Sequence, residues 1–318
     1  MNFEILKWKA IQSNDLLIVV ALIFGLLILA SVLFFVVGKI KPNANLGELK
    51  SRTKSWWVMA TVFIAATLVN TNISYVALAF LSFMAFRELY SILDFRNSDR
   101  GAIFWALMSI PVQYYLAYVK WYGAFIVFIP VLMFLILPLR LVLKGDTDGI
   151  IKSMSTLHWT LMLTIFGISH MAYLLSLPDL EGFEAGGRGL LLFLVFLTEI
   201  NDILQFIWGK LFGKYKIIPK VSPNKTWEGF LGGLVCTPLI AYCLAFLTPL
   251  DTYLAMIAGF LISLTGFVGD VVMSAVKRDI GIKDTSTLIP GHGGVLDRID
   301  SLAYTAPIFF HFVYYFGY

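Results

Sequence analysis

Apolar residues fall along this chain in long blocks, each closed by a shorter polar interval. A bilayer's hydrocarbon core is about 30 Å thick, and a helix needs roughly 20 mostly apolar residues to cross it. Blocks of this kind predict helices over residues 16–38, 55–70, 72–90, 101–119, 122–143, 154–176, 187–208, 229–248, 252–274 and 301–317, the second and the last being short. The expected fold is all-α, a polytopic integral membrane protein with about 9–10 transmembrane helices. No linker, low-complexity tract or internal repeat interrupts the pattern, so residues 1–318 read as a single membrane domain. The first block, "LLIVVALIFGLLILASVLFFVV", is longer than a signal-peptide core, and no small-residue cleavage site precedes the basic stretch after it. It reads as a retained helix.

Composition agrees: 59% of the 318 residues are hydrophobic, 14% are charged, and the mean hydropathy of +0.82 excludes an ordinary soluble domain. Cys236 and Cys243, seven residues apart on one apolar block, would lie about 10 Å apart along a helix and cannot pair with each other. The net charge of +4 is small, and nucleic acid is not an expected partner. Its distribution says more. With ten spans and an outer N-terminus, Lys7, Lys9, Lys120 and Arg188 alone fall outside, and every other Lys and Arg falls in an inner loop. The positive-inside rule then turns the long polar intervals 209–228 and 275–300 toward the cytoplasm. A bacterial inner (cytoplasmic) membrane is the expected location.

Residues 1–186 carry little chemistry. "KGDTDG" is a short loop, and "RELYSILDFRNSDR" reads as a solvated inner connection whose charges serve topology. His158 and His170 have no carboxylate or cysteine at ligand spacing and read as structural.

Residues 187–318 differ, because ionisable groups there enter the apolar blocks. Glu199 and Asp202, three apart, share a helix face. Asp270 lies inside an apolar run, with Ser274 one turn on and Lys277 and Arg278 beyond it. A buried carboxylate is costly unless paired or bound to metal, so the plain alternative is a structural Asp–Lys pair. The following interval brings Lys283 and Asp284, then Pro290, Gly291, His292, Gly293 and Gly294, then Asp297, Arg298 and Asp300, all read as loop residues. Glycines allow backbone N–H groups close to an anion, Lys and Arg bind phosphate, and the acids suit Mg²⁺. Such a set fits metal-assisted phosphoryl or nucleotidyl transfer, and it would equally suit an ion gate or an anion carrier. A transporter, however, predicts broken helices in two related halves, whereas these groups crowd one half and one membrane face.

The spacing Ser274, Lys277, Arg278, Lys283, Asp284, Pro290-Gly291-His292-Gly293-Gly294, Asp297-Arg298, Asp300 closely resembles the signature of the phosphatidate cytidylyltransferases, or CDP-diacylglycerol synthases. A second element of that family matches at Ser222, Pro223, Lys225, Thr226, Glu228, Gly229, Gly232 and Gly233, and the resemblance covers about 199–310. It implies transfer of CMP from CTP to phosphatidate, with an active site at the cytoplasmic side of the C-terminal half. In that setting Asp270 and Asp297 would hold Mg²⁺, with Asp202 and Asp300 completing or orienting the shell and a monovalent cation as a further option. Lys225, Lys277, Arg278, Lys283 and Arg298 would bind phosphates. Ser222, Thr226 and Ser274 would add hydroxyl contacts, and His292, Gly293 and Gly294 phosphate contacts. CTP, a lipid phosphate and membrane lipids are the implied partners, and a homodimer is compatible.

One departure stands out. The family usually follows Asp202 with small residues and an Ala-Tyr pair, and this chain has Ile203, Leu204, Gln205 and Phe206. Those positions are expected to line the acceptor-lipid side, which leaves a cytidylyltransferase for another lipid phosphate as an alternative. A CTP-dependent lipid-alcohol kinase is a second one. The D-G-x-x-A-R motif of CDP-alcohol phosphotransferases is absent.

Overall fold

The computed structural model describes residues 14–40 and 47–318, so the expectations for Lys7, Lys9 and Lys41 lie outside the described residues. The described residues form ten helices. They are α1 (Asn14–Ile40), α2 (Gly47–Leu68), α3 (Thr71–Ile92), α4 (Arg100–Tyr118), α5 (Tyr122–Val142), α6 (150–174), α7 (Gly186–Phe212), α8 (Trp227–Cys243), α9 (Thr252–Asp279) and α10 (Leu296–Phe316). Among the described residues the backbone makes no strand, only two isolated bridges. Five helices, α1, α3, α5, α7 and α9, are long and apolar enough to cross a bilayer on length and composition. Their outer faces carry large exposed apolar groups such as Phe35, Val76, Phe80, Leu135 and Leu211, as lipid contact requires. The chain is an all-α polytopic membrane protein.

Lipid is as apolar as leucine, so helices in a membrane associate through close packing and interhelical hydrogen bonds. Both occur here. Ser82 Oγ and Tyr114 OH lie 2.7 Å apart between α3 and α4, and Gln113 Nε2 donates to Ser169 Oγ at 3.1 Å between α4 and α6. In the C-terminal half α7, α8, α9 and α10 pack as successive neighbours, and α10 also meets α6 and α3. Gly269 fixes the α9–α10 approach, since a Cβ there would sit 2.7 Å from the Asp300 carbonyl oxygen. This contact brings Asp270 beside the first turns of α10.

Two expectations are corrected. "RELYSILDFRNSDR" is not a solvated connection: Glu88 is buried on α3, and Asp99 is fully buried before α4. Asp99 can be buried because Arg96 reaches it through N, Nε and Nη2 at 2.9, 3.1 and 2.8 Å, and Ser153 Oγ of α6 donates at 2.7 Å. The second correction concerns α10, which starts at Leu296, so Asp297, Arg298 and Asp300 belong to its opening turns and not to the loop. Acids are favoured at a helix N-terminus, and these face protein instead of lipid.

Candidate functional site

The loop between α9 and α10 is built around a tight turn. Ile289 N donates to Gly293 O at 2.8 Å and His292 N to Ile289 O at 2.9 Å, with Gly291 and Gly293 at φ +75° and +79°. Asp297 holds this loop from below: its Oδ2 accepts from Thr285 N at 2.8 Å, Thr285 Oγ1 at 2.9 Å and Gly294 N at 2.9 Å. Its Oδ1 lies 2.8 Å from Lys277 Nζ. The N-terminal helices hold the loop from the other side. Ser55 Oγ of α2 donates to Pro290 O at 2.7 Å, and Glu88 Oε2 of α3 accepts from Leu296 N at 2.7 Å, capping α10.

Above this frame opens a cavity of about 610 Å³, within the range of small-ligand sites. Lys283, Asp284, His292 and Gly293 line it from the loop, Arg298 from α10, Glu199, Asp202, Ile203 and Phe206 from α7, and Arg52 and Trp56 from α2. The His292 ring meets Trp56 edge to face with centroids 6.0 Å apart. Burial, then the nearby Arg298 and Arg52 charges, push its pKa below the ordinary histidine value, so it is neutral at pH 7.

Behind the cavity lies a web of charge. Lys225 Nζ is 2.6 Å from Asp270 Oδ2 and donates to Gln205 Oε1 at 3.1 Å, and Ser274 Oγ donates to Asp270 Oδ1 at 3.2 Å. Burial acts to discharge Lys225, but Asp270 and Asp202 outweigh it and hold its pKa above the ordinary lysine value. Asp300 accepts from Ser301 N at 2.8 Å and lies 3.9 Å from Lys277 Nζ. Asp202 joins web and cavity. Its Oδ2 accepts from Ser301 Oγ at 3.3 Å, while its Oδ1 is buried without a hydrogen-bond partner.

The expected site residues thus separate by position. Asp202, Lys283, His292, Gly293 and Arg298 face the cavity, and Asp270, Ser274, Lys225, Lys277, Asp297 and Asp300 form the web behind it. Thr226 is spent on the α8 N-cap, its Oγ1 accepting from Gly229 N at 3.1 Å. Arg278 ties two loops to α9 through Val221 O at 3.3 Å and Ile282 O at 3.0 Å. Ser222 shapes the turn before Lys225, whose N–H donates to its carbonyl at 3.2 Å, and Gly294 gives its N–H to Asp297. Of the unusual residues after Asp202, Ile203 and Phe206 line the cavity, Gln205 turns away to Lys225, and Leu204 is absent from the wall.

Among the described residues no three His, Cys, Asp or Glu side chains converge as a metal cage. The donor chemistry nonetheless suits a hard cation at Asp202, whose buried Oδ1 is unpartnered and which lies within electrostatic reach of Asp270 and Asp300. Asp297 fits less well, with both oxygens taken by Lys277, Thr285 and Gly294.

Sequence reasoning missed Glu88, Arg52 and Trp56. Glu88 carried a signal, being an acid inside the apolar block 72–90, the same mark that singled out Asp270. Arg52 and Trp56 carried none beyond their place near a span.

A family model described as the cytidylyltransferase family matches residues 50–316. The chain is 42% identical over 297 residues to the uncharacterized protein YnbB of Escherichia coli K12, covering 93% of this chain and 97% of that one. It is 37% identical over 127 residues to a phosphatidate cytidylyltransferase of Staphylococcus haemolyticus, 39% of this chain and 49% of that one. It is also 39% identical over 149 residues to a phosphatidate cytidylyltransferase of Mycobacterium leprae, 46% and 47% of the two chains. The matches thus span about half the length of these two enzymes.

Proposed function

The chain belongs to the cytidylyltransferase family and is a nucleotidyltransferase, and on that footing we propose that it transfers CMP from CTP to phosphatidate or a related lipid phosphate. The observation that carries this reading is the convergence of Lys283, Arg298 and Arg52 with Asp202 on one cavity at the ends of apolar helices. Such a cavity can hold a polyphosphate and a second phosphate whose lipid tail remains in the bilayer.

In the reaction an oxygen of the lipid phosphate attacks the α-phosphorus of CTP. The bond from that phosphorus to the bridging β-oxygen breaks, and its electron pair leaves with pyrophosphate. Lys283, Arg298 and Arg52 offset the repulsion between the two anionic substrates and the charge growing on the leaving group. A phosphate monoester is ionised near neutral pH, so the nucleophile needs no strong base, and neutral His292 serves as a phosphate contact. Asp202, through its unpartnered Oδ1, would hold Mg²⁺, with the charges of Asp270 and Asp300 nearby adding to the attraction, and the ion would supply Lewis-acid neutralisation of phosphate charge. Lys225 and Lys277 set the charge of that acid web, and Asp297 keeps the loop in register. The loops bearing the site face the cytoplasm of an inner-membrane protein, where CTP is available.

The test is purified protein with phosphatidate, Mg²⁺ and CTP labelled at either the α- or the γ-phosphate. Label from the α-position should enter the lipid fraction together with release of pyrophosphate. Entry of γ-label with formation of CDP would instead make the protein a lipid kinase and overturn the reading.

A further inference from the structure

Lys225 is within electrostatic reach of two acids, Asp270 and Asp202, yet among the described residues it forms an ion pair with Asp270 alone. An ammonium has three protons to give. The Asp270 carboxylate takes one at 2.6 Å, Gln205 Oε1 takes another at 3.1 Å, and the Phe267 ring lies 5.2 Å from the nitrogen, within cation–π range. None of these partners is Asp202, whose Oδ2 accepts from Ser301 Oγ and whose Oδ1 is buried without a partner. A lysine near two carboxylates gains most Coulomb energy by bridging both, so the neutral amide in the second place calls for an explanation.

The side chain of Gln205 supplies one. It follows Asp202 by three residues on the same face of α7, at one of the four positions where the chain departs from the family pattern. It is buried, and α8 makes room for it: a Cβ at Gly233 would sit 2.6 Å from Gln205 Cγ. Its Nε2 is buried without a hydrogen bond, so the bond from Lys225 is the one polar contact this side chain makes among the described residues. Without that acceptor the ammonium could turn to Asp202 Oδ1, the same oxygen that suits a hard cation, and a lysine there would compete with the ion.

Building on the placement of a divalent cation at Asp202 in the nucleotidyl-transfer reading, we infer that Gln205 is a positioning residue that holds Lys225 on Asp270 and so keeps Asp202 open to the cation. Gln205 is not in the cavity wall and acts through Lys225. A role in packing alone would not depend on whether position 225 carries an ammonium, and that difference separates the two.

The experiment titrates Mn²⁺, a paramagnetic stand-in for Mg²⁺, into the purified full-length protein without CTP or lipid and follows the free ion by electron paramagnetic resonance. Wild type should show a site that Asp202→Asn removes. Gln205→Met, which keeps the length of the side chain but not the acceptor, should weaken that site by at least about tenfold, the scale of one hydrogen bond to a charged group. Gln205→Asn, which draws the amide back by one methylene, should weaken it in the same direction and stands in if the methionine variant does not fold. In a Lys225→Met background, Gln205→Met should change Mn²⁺ affinity by less than about twofold. In turnover, Gln205→Met should raise the Mg²⁺ needed for half-maximal CMP transfer by a factor similar to its loss of Mn²⁺ affinity. Unchanged Mn²⁺ affinity in the Gln205 variants, a loss that persists in the Lys225→Met background, or a wild type without an Asp202-dependent site would each overturn the assignment. If Mn²⁺ behaved as expected while no lipid phosphate received CMP, the nucleotidyl-transfer reading would fail and the role of Gln205 would stand.

Discussion

A carboxylate oxygen of Asp270 lies 2.6 Å from the Lys225 ammonium, joining α9 to the loop that precedes α8. The lysine is held in place by a second acceptor, Gln205 Oε1, and lies 5.2 Å from the Phe267 ring. Both charges are therefore fixed before any substrate arrives, as electrostatic preorganisation requires.

Asp270→Asn keeps the shape of the side chain but removes the charge that holds Lys225. CMP transfer should fall by about a hundredfold or more, the scale of losing one preorganised electrostatic group. The thermal midpoint should stay near that of wild type, because the pair is partly exposed and Ser274 still has an acceptor. Activity within a few-fold at saturating Mg²⁺ would take Asp270 out of the machinery.

Asp297 behaves differently, since its four donors come from the loop and from buried Lys277. Asp297→Ala should lower stability by about 3–5 kcal/mol, the range for breaking a buried ion pair from one side. Adding Lys277→Met should recover part of the midpoint without restoring turnover. Unfolding in detergent, followed by fluorescence, measures both, and a midpoint unchanged in Asp297→Ala would show that the loop does not depend on this carboxylate.

Glu88 caps α10 from a helix far away in sequence. Glu88→Ala should cost about 1 kcal/mol or more through the lost cap and reduce turnover, while Glu88→Gln, which keeps the acceptor, should retain most of both. Gly294→Ala should reproduce the loss, because a methyl there would collide with the Glu88 carboxyl and Thr285 Oγ1. Wild-type rates in Glu88→Ala would show that the cap does not position the site.

Topology has its own test. Lys216→Cys and Thr287→Cys are at exposed positions, and a background of Cys236→Ser and Cys243→Ser removes the native thiols. Impermeant thiol reagents should label either cysteine only from the cytoplasmic face. Labelling of intact cells from outside would reverse the orientation and cut the site off from CTP.

Much of the helical layout was legible because crossing a bilayer demands one simple thing, a long apolar run. The spans at 71–92, 100–118 and 122–142 begin and end within two residues of the expected limits. The opening of α10 was not legible, since Asp297, Arg298 and Asp300 look like loop until neighbours are known to bury them. The signature residues gather around one cavity, but spacing alone could not tell its wall from the frame behind it. Lys283 and Arg298 face the opening, whereas Thr226 and Asp297 spend their polar atoms holding backbone. The contributions of Arg52 and Trp56 depend on how α2 crosses the loop, a fact of tertiary packing that no local pattern carries.

The contacts of the loop with α2 and α3 also bear on how the protein is made. Ser55 and Pro290 are separated by 235 positions, and Glu88 and Leu296 by 208. Closing segments of that length is entropically unfavourable and slow compared with forming any single helix. During synthesis α2 and α3 must wait in the bilayer for almost the whole chain to emerge before they meet the loop. A nascent chain stalled before α10 would have most of its helices but no framed glycine turn, so catalytic competence should arrive in one late step instead of accumulating helix by helix.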